Sequence, residues 1–245
     1  MIREQQERTR MIMGEEALAR LRSSRVLLFG VGGVGGYVLE GLARTGVGTI
    51  GVVDDDAVAV SNLNRQIIAT HETVGQPKVE AAAARVAAID PEIRVIPYRC
   101  FYLPEQADRF DCSSYDLIVD AIDTVTAKLR IIELCHQAGV PVISAMGCGN
   151  RLDPSRLVVT DIYSTSQDPL ARIMRRELKK RGIPALKVVY STEPVTIPSN
   201  RIKAGDAAAE ASPRRRDTPG STAFVPPVAG FIAASEVVRD LIGKK

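Results

Sequence analysis

The residues best equipped for chemistry cluster in the first half of this 245-residue chain. Gly30-Val31-Gly32-Gly33-Val34-Gly35 follows an apolar run, residues 25–29, and opens a segment of helical periodicity. In that setting glycines let the backbone turn tightly and approach phosphates, and the helix N-terminus favours negative charge. Asp54 closes the next apolar run, about 20 residues further on, where a ribose-binding carboxylate belongs. Alone, this pattern predicts a nucleotide site, with an NAD-dependent dehydrogenase as the default. The following segment argues otherwise. It reads Asp54-Asp55-Asp56-Ala57-Val58-Ala59-Val60-Ser61-Asn62-Leu63-Asn64-Arg65-Gln66, then Gly75-Gln76-Pro77-Lys78. Hydride transfer has no use for such a cluster, whereas adenylyl transfer does. A polyphosphate must be neutralised while its α-phosphorus stays open to an attacking carboxylate. Arg65 and Lys78 supply cations and Asn62 a neutral donor. Asp123, at the C-terminal edge of a predicted strand, is placed to hold Mg2+.

These residues need a scaffold, and the hydrophobic pattern predicts one. Strands are expected at 25–29, 49–53, 92–97, 116–121 and 140–145. Helices are expected at 14–22, 35–44, 78–89 and 127–138. Alternation of this kind argues an α/β fold, a mainly parallel sheet covered by helices on both faces. After Cys148 the pattern changes to a strand at 157–162, a helix opened by Asp168-Pro169 and ended by Gly182, and a strand at 186–191. Residues 201–220 have no periodicity and read as a mobile loop. A helix at 231–242 closes the chain. The whole is expected to form one domain, 1–245. Residues 1–150 make the nucleotide-binding core, and 151–245 elaborate it for substrate and dimer contacts.

Composition narrows the function classes. Apolar residues make up 45% and charged residues 25%, as in an ordinary globular protein, and there is no Trp. The opening MIREQQERTR lacks a signal-peptide core, and the apolar stretch 225–235 is too short to span a bilayer, so a cytoplasmic, membrane-free protein is expected. Cys100, Cys112, Cys135 and Cys148 show no CxxC spacing, which speaks against a structural zinc site. They read as free thiols, with Cys148, between two glycines, the one position flexible enough for a catalytic thiol. The net charge of +3 is uneven. Residues 172–187 hold seven basic side chains and one acidic one, Glu177. Such a patch fits a polyanion, nucleic acid above all, or a plain solvated helix face.

The GxGGxG loop, the D-x-D-x-V-x-x-SNLNRQ segment, the G-x-x-K and the A-x-D together resemble the E1-like ThiF/MoeB superfamily of adenylating enzymes across residues 3–150. The resemblance implies a Rossmann-like ThiF/E1-like fold with a C-terminal strand extension. It implies ATP bound by Gly30, Gly32, Gly33, Gly35, Asp54, Asp56, Asn62, Arg65, Gln66 and Lys78, with Asp123 on Mg2+. Arg65, Lys78 and Asp123 become the catalytic candidates. Arg10 stands where the superfamily has an arginine that reaches the partner subunit's site, which implies a homodimer.

Paired CxxC motifs and a catalytic-cysteine domain, marks of other branches, are missing. The run from Ser144 to Ile183, with GNRLDPS and QDPLAR, resembles the tRNA threonylcarbamoyladenosine dehydratases and carries the likeness to residue 191. That family would use ATP to activate the threonine carboxylate of a modified adenosine and close a ring with loss of water. Arg172, Arg175, Arg176, Lys179 and Lys180 would then bind tRNA. The family resemblance also suggests a monovalent cation, K+ or Na+, with the 147–149 carbonyls as ligands, and leaves a sulfur-relay partner protein open. The competing readings are E1-like adenylation of a ubiquitin-like sulfur carrier, a non-enzymatic nucleotide sensor and the dehydrogenase.

Overall fold

Strand β1 (Arg25–Phe29) shows how the sequence builds the layers. Val26 and Leu28 point into one core and Leu27 and Phe29 into another, so both faces of the strand are apolar. The structure, a computed structural model, describes residues 4–100, 111–196 and 219–243. The other strands are β2 (Thr49–Val53), β3 (Arg94–Tyr98), β4 (Leu117–Asp120), β5 (Val142–Ala145), β6 (Leu157–Asp161) and β7 (Lys187–Ser191). They form one seven-stranded sheet in the order β3-β2-β1-β4-β5-β7-β6. Neighbours pair in parallel from β3 to β7, and β6 is an antiparallel edge on β7. This is the expected mainly parallel sheet with a C-terminal strand extension.

The helices are α1 (Glu7–Met13), α2 (Glu15–Ser23), α3 (Gly35–Thr45), α4 (Lys78–Ile89), α5 (Val125–Ala138), α6 (Pro169–Lys180) and α7 (Val225–Leu241). Leu18, Leu39, Leu42, Val86 and Val237, from α2, α3, α4 and α7, cover one face. Ile131 of α5 and Met174 and Leu178 of α6 cover the other. Two elements depart from the sequence reading. Helix α1 has no buried side chain of its own, so it left no apolar stripe to read. Helix α7 starts six residues before the expected 231, because Pro226 and Pro227 occupy its first turn, where a missing N–H costs nothing. The loop expected at 201–220 lies outside the described residues, apart from its last two positions. Among the described residues no helix is long and apolar enough to cross a membrane.

The chain reverses its direction of winding between β1 and β4, the central neighbours. Their C-terminal ends therefore diverge into a crevice, the place where open α/β sheets bind ligands.

Candidate active site

A cleft of about 950 Å³ opens at that point. Its floor is the glycine loop between β1 and α3. Gly30 has φ +87°, and a Cβ there would lie 2.8 Å from the Ala121 carbonyl oxygen on β4's extension. A Cβ on Gly35 would collide with the Gly30 carbonyl oxygen. Gly35 is thus needed for the turn to close on itself and does not line the cleft, whereas Gly30, Gly32 and Gly33 do. At Gly32 an added Cβ would meet only Gln66 Nε2, at 3.9 Å, so this stretch of backbone is open to a ligand.

Asp54 ties the loop to the motif that follows. Its Oδ2 accepts the Val31 N–H at 2.7 Å and its Oδ1 the Asp56 N–H at 3.0 Å. The 54–66 segment is zipped to the 75–78 turn by Val58 N–H to Gln76 O, 2.9 Å, and Lys78 N–H to Asp56 O, 2.9 Å. That zip brings Lys78, buried, to 2.6 Å from Asp56 Oδ2 and 3.7 Å from Asp54 Oδ1. Arg65 is held from behind, its Nη1 donating to Ser61 O at 2.9 Å and Asn64 Oδ1 at 3.0 Å. Asn62 Oδ1 caps the same turn by accepting the Ala59 N–H at 3.0 Å. Gln66 is buried, and its Oε1 has no partner among the described residues. All of these side chains line the cleft, as does Asp123, exposed on the β4–α5 turn. The fold thus brings Gly30, Gly32, Gly33, Asp54, Asp56, Asn62, Arg65, Gln66, Lys78 and Asp123 to one cleft, with Gly35 of the predicted set left behind the turn.

The donor set also bears on a metal. Mg2+ favours one or two carboxylates completed by phosphates and water. Carboxylate oxygens of Asp54, Asp55 and Asp56 come within 4.8 Å of one another. Asp56 is neutralised by Lys78, however, and Asp54 is engaged by two backbone N–H groups. Burial, then the Asp56 charge, push the Asp55 pKa above its ordinary value. Asp123, exposed and hard, fits Mg2+ better than this trio.

Sequence reasoning singled out residues 147–149 and the GNRLDPS and QDPLAR segments, but not that they form the opposite wall of one cleft. That wall consists of residues 146–149, Arg151 and the N-terminal end of α6 with Pro169, Leu170 and Ile173. Arg151 is buried, and its guanidinium donates to Ser191 O at 2.5 Å and Asp168 Oδ2 at 2.7 Å. Asp168 is buried too, and its Oδ1 caps α6 by accepting the Ala171 N–H at 2.7 Å. The cap was legible as Asp-Pro, but its ion pair was not. Lys128 was missed as well. It is fully buried, with Nζ 2.9 Å from Asp120 Oδ2 and donating to Ile122 O at 3.1 Å and Ala145 O at 2.8 Å. A lysine on the apolar stripe of α5 was the available signal, since a charge there must be paired. Cys148 is buried against the sheet, and burial pushes its thiol up to about 12. A thiol held protonated is a poor nucleophile at neutral pH.

Two predicted groups lie elsewhere. Arg10 does not line the cleft of its own chain and pairs with Glu15 at 3.2 Å. The basic residues of α6 are on the helix face away from the core, but they are not equivalent. Arg175 is half-buried and donates to Thr165 O at 2.8 Å and to Thr165 Oγ1, so it is not a free cation for phosphate. Arg176 and Lys180 both contact Glu177, at 3.1 Å each. Hydrogen bonds from Arg181, then Lys180, hold the Glu177 carboxyl at about 2, so it stays ionised and offsets part of the patch. Arg172 and Lys179 are exposed.

The comparisons agree with this geometry. The ThiF family model matches residues 5–245. The tRNA threonylcarbamoyladenosine dehydratase of Bacillus subtilis is 40% identical, covering 96% of this chain and 93% of that protein. The Escherichia coli enzyme of the same name is 35% identical, over 96% of this chain and 92% of its own length. The E. coli enzyme solved in complex with ATP superposes with a TM-score of 0.86 at 32% identity, covering 98% of this chain and 95% of that one. An AMP complex of the same enzyme gives 0.85. Sheet order, cleft and motif residues thus converge with full-length similarity, and the chain belongs to the ThiF family, in its tRNA threonylcarbamoyladenosine dehydratase branch.

Proposed function

We propose that this protein uses ATP to dehydrate N6-threonylcarbamoyladenosine in tRNA to its cyclic form. The observation that carries the reading is the single cleft with two walls. One wall is the nucleotide-binding motif, and the other is built from the GNRLDPS and QDPLAR segments, which line it through Arg151, Asp168 and Pro169. Similarity to the dehydratases spans both walls.

In this reading Asp54 faces the ribose, and Gly32 and Gly33 leave room for the phosphates. Arg65, Lys78 and Asn62 neutralise and orient the triphosphate, with Asp56 and Gln66 beside it. Asp56 holds Lys78 in place until phosphate oxygens compete for it. Asp123 would hold Mg2+, which when bound supplies charge neutralisation on the phosphates. The threonine carboxylate attacks the α-phosphorus and pyrophosphate leaves, giving an acyl-adenylate. A ureido nitrogen then attacks the activated carbonyl, AMP leaves with the carboxylate oxygen, and the nitrogen loses its proton to solvent. The second step is intramolecular, so proximity supplies much of its rate, and no enzyme thiol is required. This agrees with the buried, protonated Cys148.

The reading includes a homodimer in the cytoplasm, with Arg10 reaching the partner's cleft, and carbonyls of residues 147–149 as ligands for K+ or Na+. The α6 surface receives tRNA, Arg172 and Lys179 first. The test is to incubate the protein with ATP, Mg2+ and tRNA carrying the open modification, then digest and weigh the nucleosides. The expected result is loss of one water from the modified adenosine. An unchanged mass, together with pyrophosphate exchange that depends on a small protein ending in Gly-Gly, would favour the sulfur-carrier activator instead.

A further inference from the structure

Helix α6 faces two ways. Its N-terminal end, Pro169, Leu170 and Ile173, lines the cleft, and its outer face carries Arg172 and Lys179 into solvent. Whatever fixes this helix relative to the sheet therefore fixes the distance between a polyanion held outside and the reacting atoms inside. Ala171, Met174 and Leu178 seat α6 on the sheet, and one buried polar contact ties the start of the helix to the cleft wall and to β7. Arg151, in the loop after β5, spans from Ser191 O at the end of β7 to Asp168 Oδ2, and the other oxygen of Asp168 caps α6. The pair is buried at the cleft wall, with side chains 1% and 0% exposed. Arg151 Nε is buried with no partner among the described residues, an unmet donor that costs stability. Replacing a buried ion pair by apolar residues of similar volume is often neutral or stabilising, so stability alone is a weak reason for this one.

We infer that Arg151 and Asp168 are positioning residues for the tRNA substrate, setting the register of the α6 docking face against the ATP-binding wall. The inference rests on the proposed cyclisation. The nucleotide wall, Gly30 to Lys78, is held by its own hydrogen bonds and makes no use of this pair. Disturbing the pair should therefore separate substrate positioning from ATP binding.

The test compares wild type, Asp168→Asn, and the double variant Arg151→Met/Asp168→Asn. Asparagine retains the N-cap acceptor, so the start of α6 survives. Asp168→Asn leaves Arg151 buried and unpaired and is expected to lower Tm. The double variant removes both charges and is expected to recover it. Its ATP Kd should stay at the wild-type value while kcat with modified tRNA drops by about tenfold or more, since small misplacements of reacting groups cost that much. Arg151→Lys keeps the charge on Asp168 without the fork that also reaches Ser191, and serves as the folded control if the double variant does not fold. The same split, with intact ATP affinity and reduced kcat, is expected of it. Wild-type kcat in the folded variant, or a loss of ATP affinity matching the loss of kcat, overturns the inference. Failure of the wild-type protein to cyclise the tRNA overturns the functional reading itself, and is told apart because it needs no variant.

Discussion

Lys128→Met is the sharpest test of how the cleft is held open. Lys128 and Asp120 are both fully buried, 2.9 Å apart, and Ser144 Oγ donates to the same Asp120 oxygen at 2.6 Å. The ammonium also satisfies the Ile122 and Ala145 carbonyls, so it clips the C-terminal ends of β4 and β5 together one residue before Asp123 in the chain. Removing one partner of such a pair leaves an uncompensated buried carboxylate, a cost of about 3–5 kcal/mol. At about 2–4 °C per kcal/mol for a chain of this size, Tm should fall by roughly 6–20 °C. Urea denaturation of Lys128→Met, Asp120→Asn and the double variant measures the effect. Asparagine still accepts from Ser144, so the double variant should be more stable than the sum of the singles by about 2 kcal/mol. A Lys128→Met penalty under about 1 kcal/mol, or strict additivity, would refute the argument that this is a desolvated, mutually dependent pair.

Three further outcomes follow from the site. Arg65→Ala and Lys78→Ala should each weaken ATP binding by about 10- to 150-fold, the loss of one charge-assisted hydrogen bond, with Lys78 at the lower end because it must first leave Asp56. Calorimetric titration measures this, and an unchanged Kd would remove either residue from the phosphate site. For Cys148, burial raises the folded-state pKa from 9.0 to about 12. Its stabilising share is therefore complete below about pH 9 and is lost as pH rises toward 12. Cys148→Ala should flatten the fall in stability over that interval, and Cys148→Ser should retain cyclisation; loss of activity in a folded Cys148→Ser would restore a role for the thiol. Finally, replacing Arg172 and Lys179 by Gln should lower the slope of log affinity for tRNA against log salt by about 0.7–0.9 per cation, while Arg175→Gln changes it less. Equal effects at all three would mean that Arg175 leaves Thr165 to reach the nucleic acid.

The sequence by itself determined the layered α/β frame, because Val26 to Phe29 and their counterparts are apolar on both faces and only a covered parallel sheet buries such strands. It also made the residues proposed for the nucleotide wall legible, since Gly30 to Gly36, Asp54 to Gln66 and Lys78 follow strands or open helices in a recognisable motif, while the pairing of β1 with β2 and the Asp54–Val31 and Asp56–Lys78 contacts bring them together. The α6 cap was legible in Asp168-Pro169, as capping is decided within four residues. What only the tertiary structure decided depends on contacts between distant segments. Arg151 meets Ser191 and Asp168 across 40 and 17 residues. Lys128 finds a carbonyl on β5 that no spacing announces. Arg175 turns inward while Arg172 on the same helix stays exposed. Residue type sets what a side chain is able to do, but burial and partner decide whether a cation binds a substrate or holds the walls that bind it.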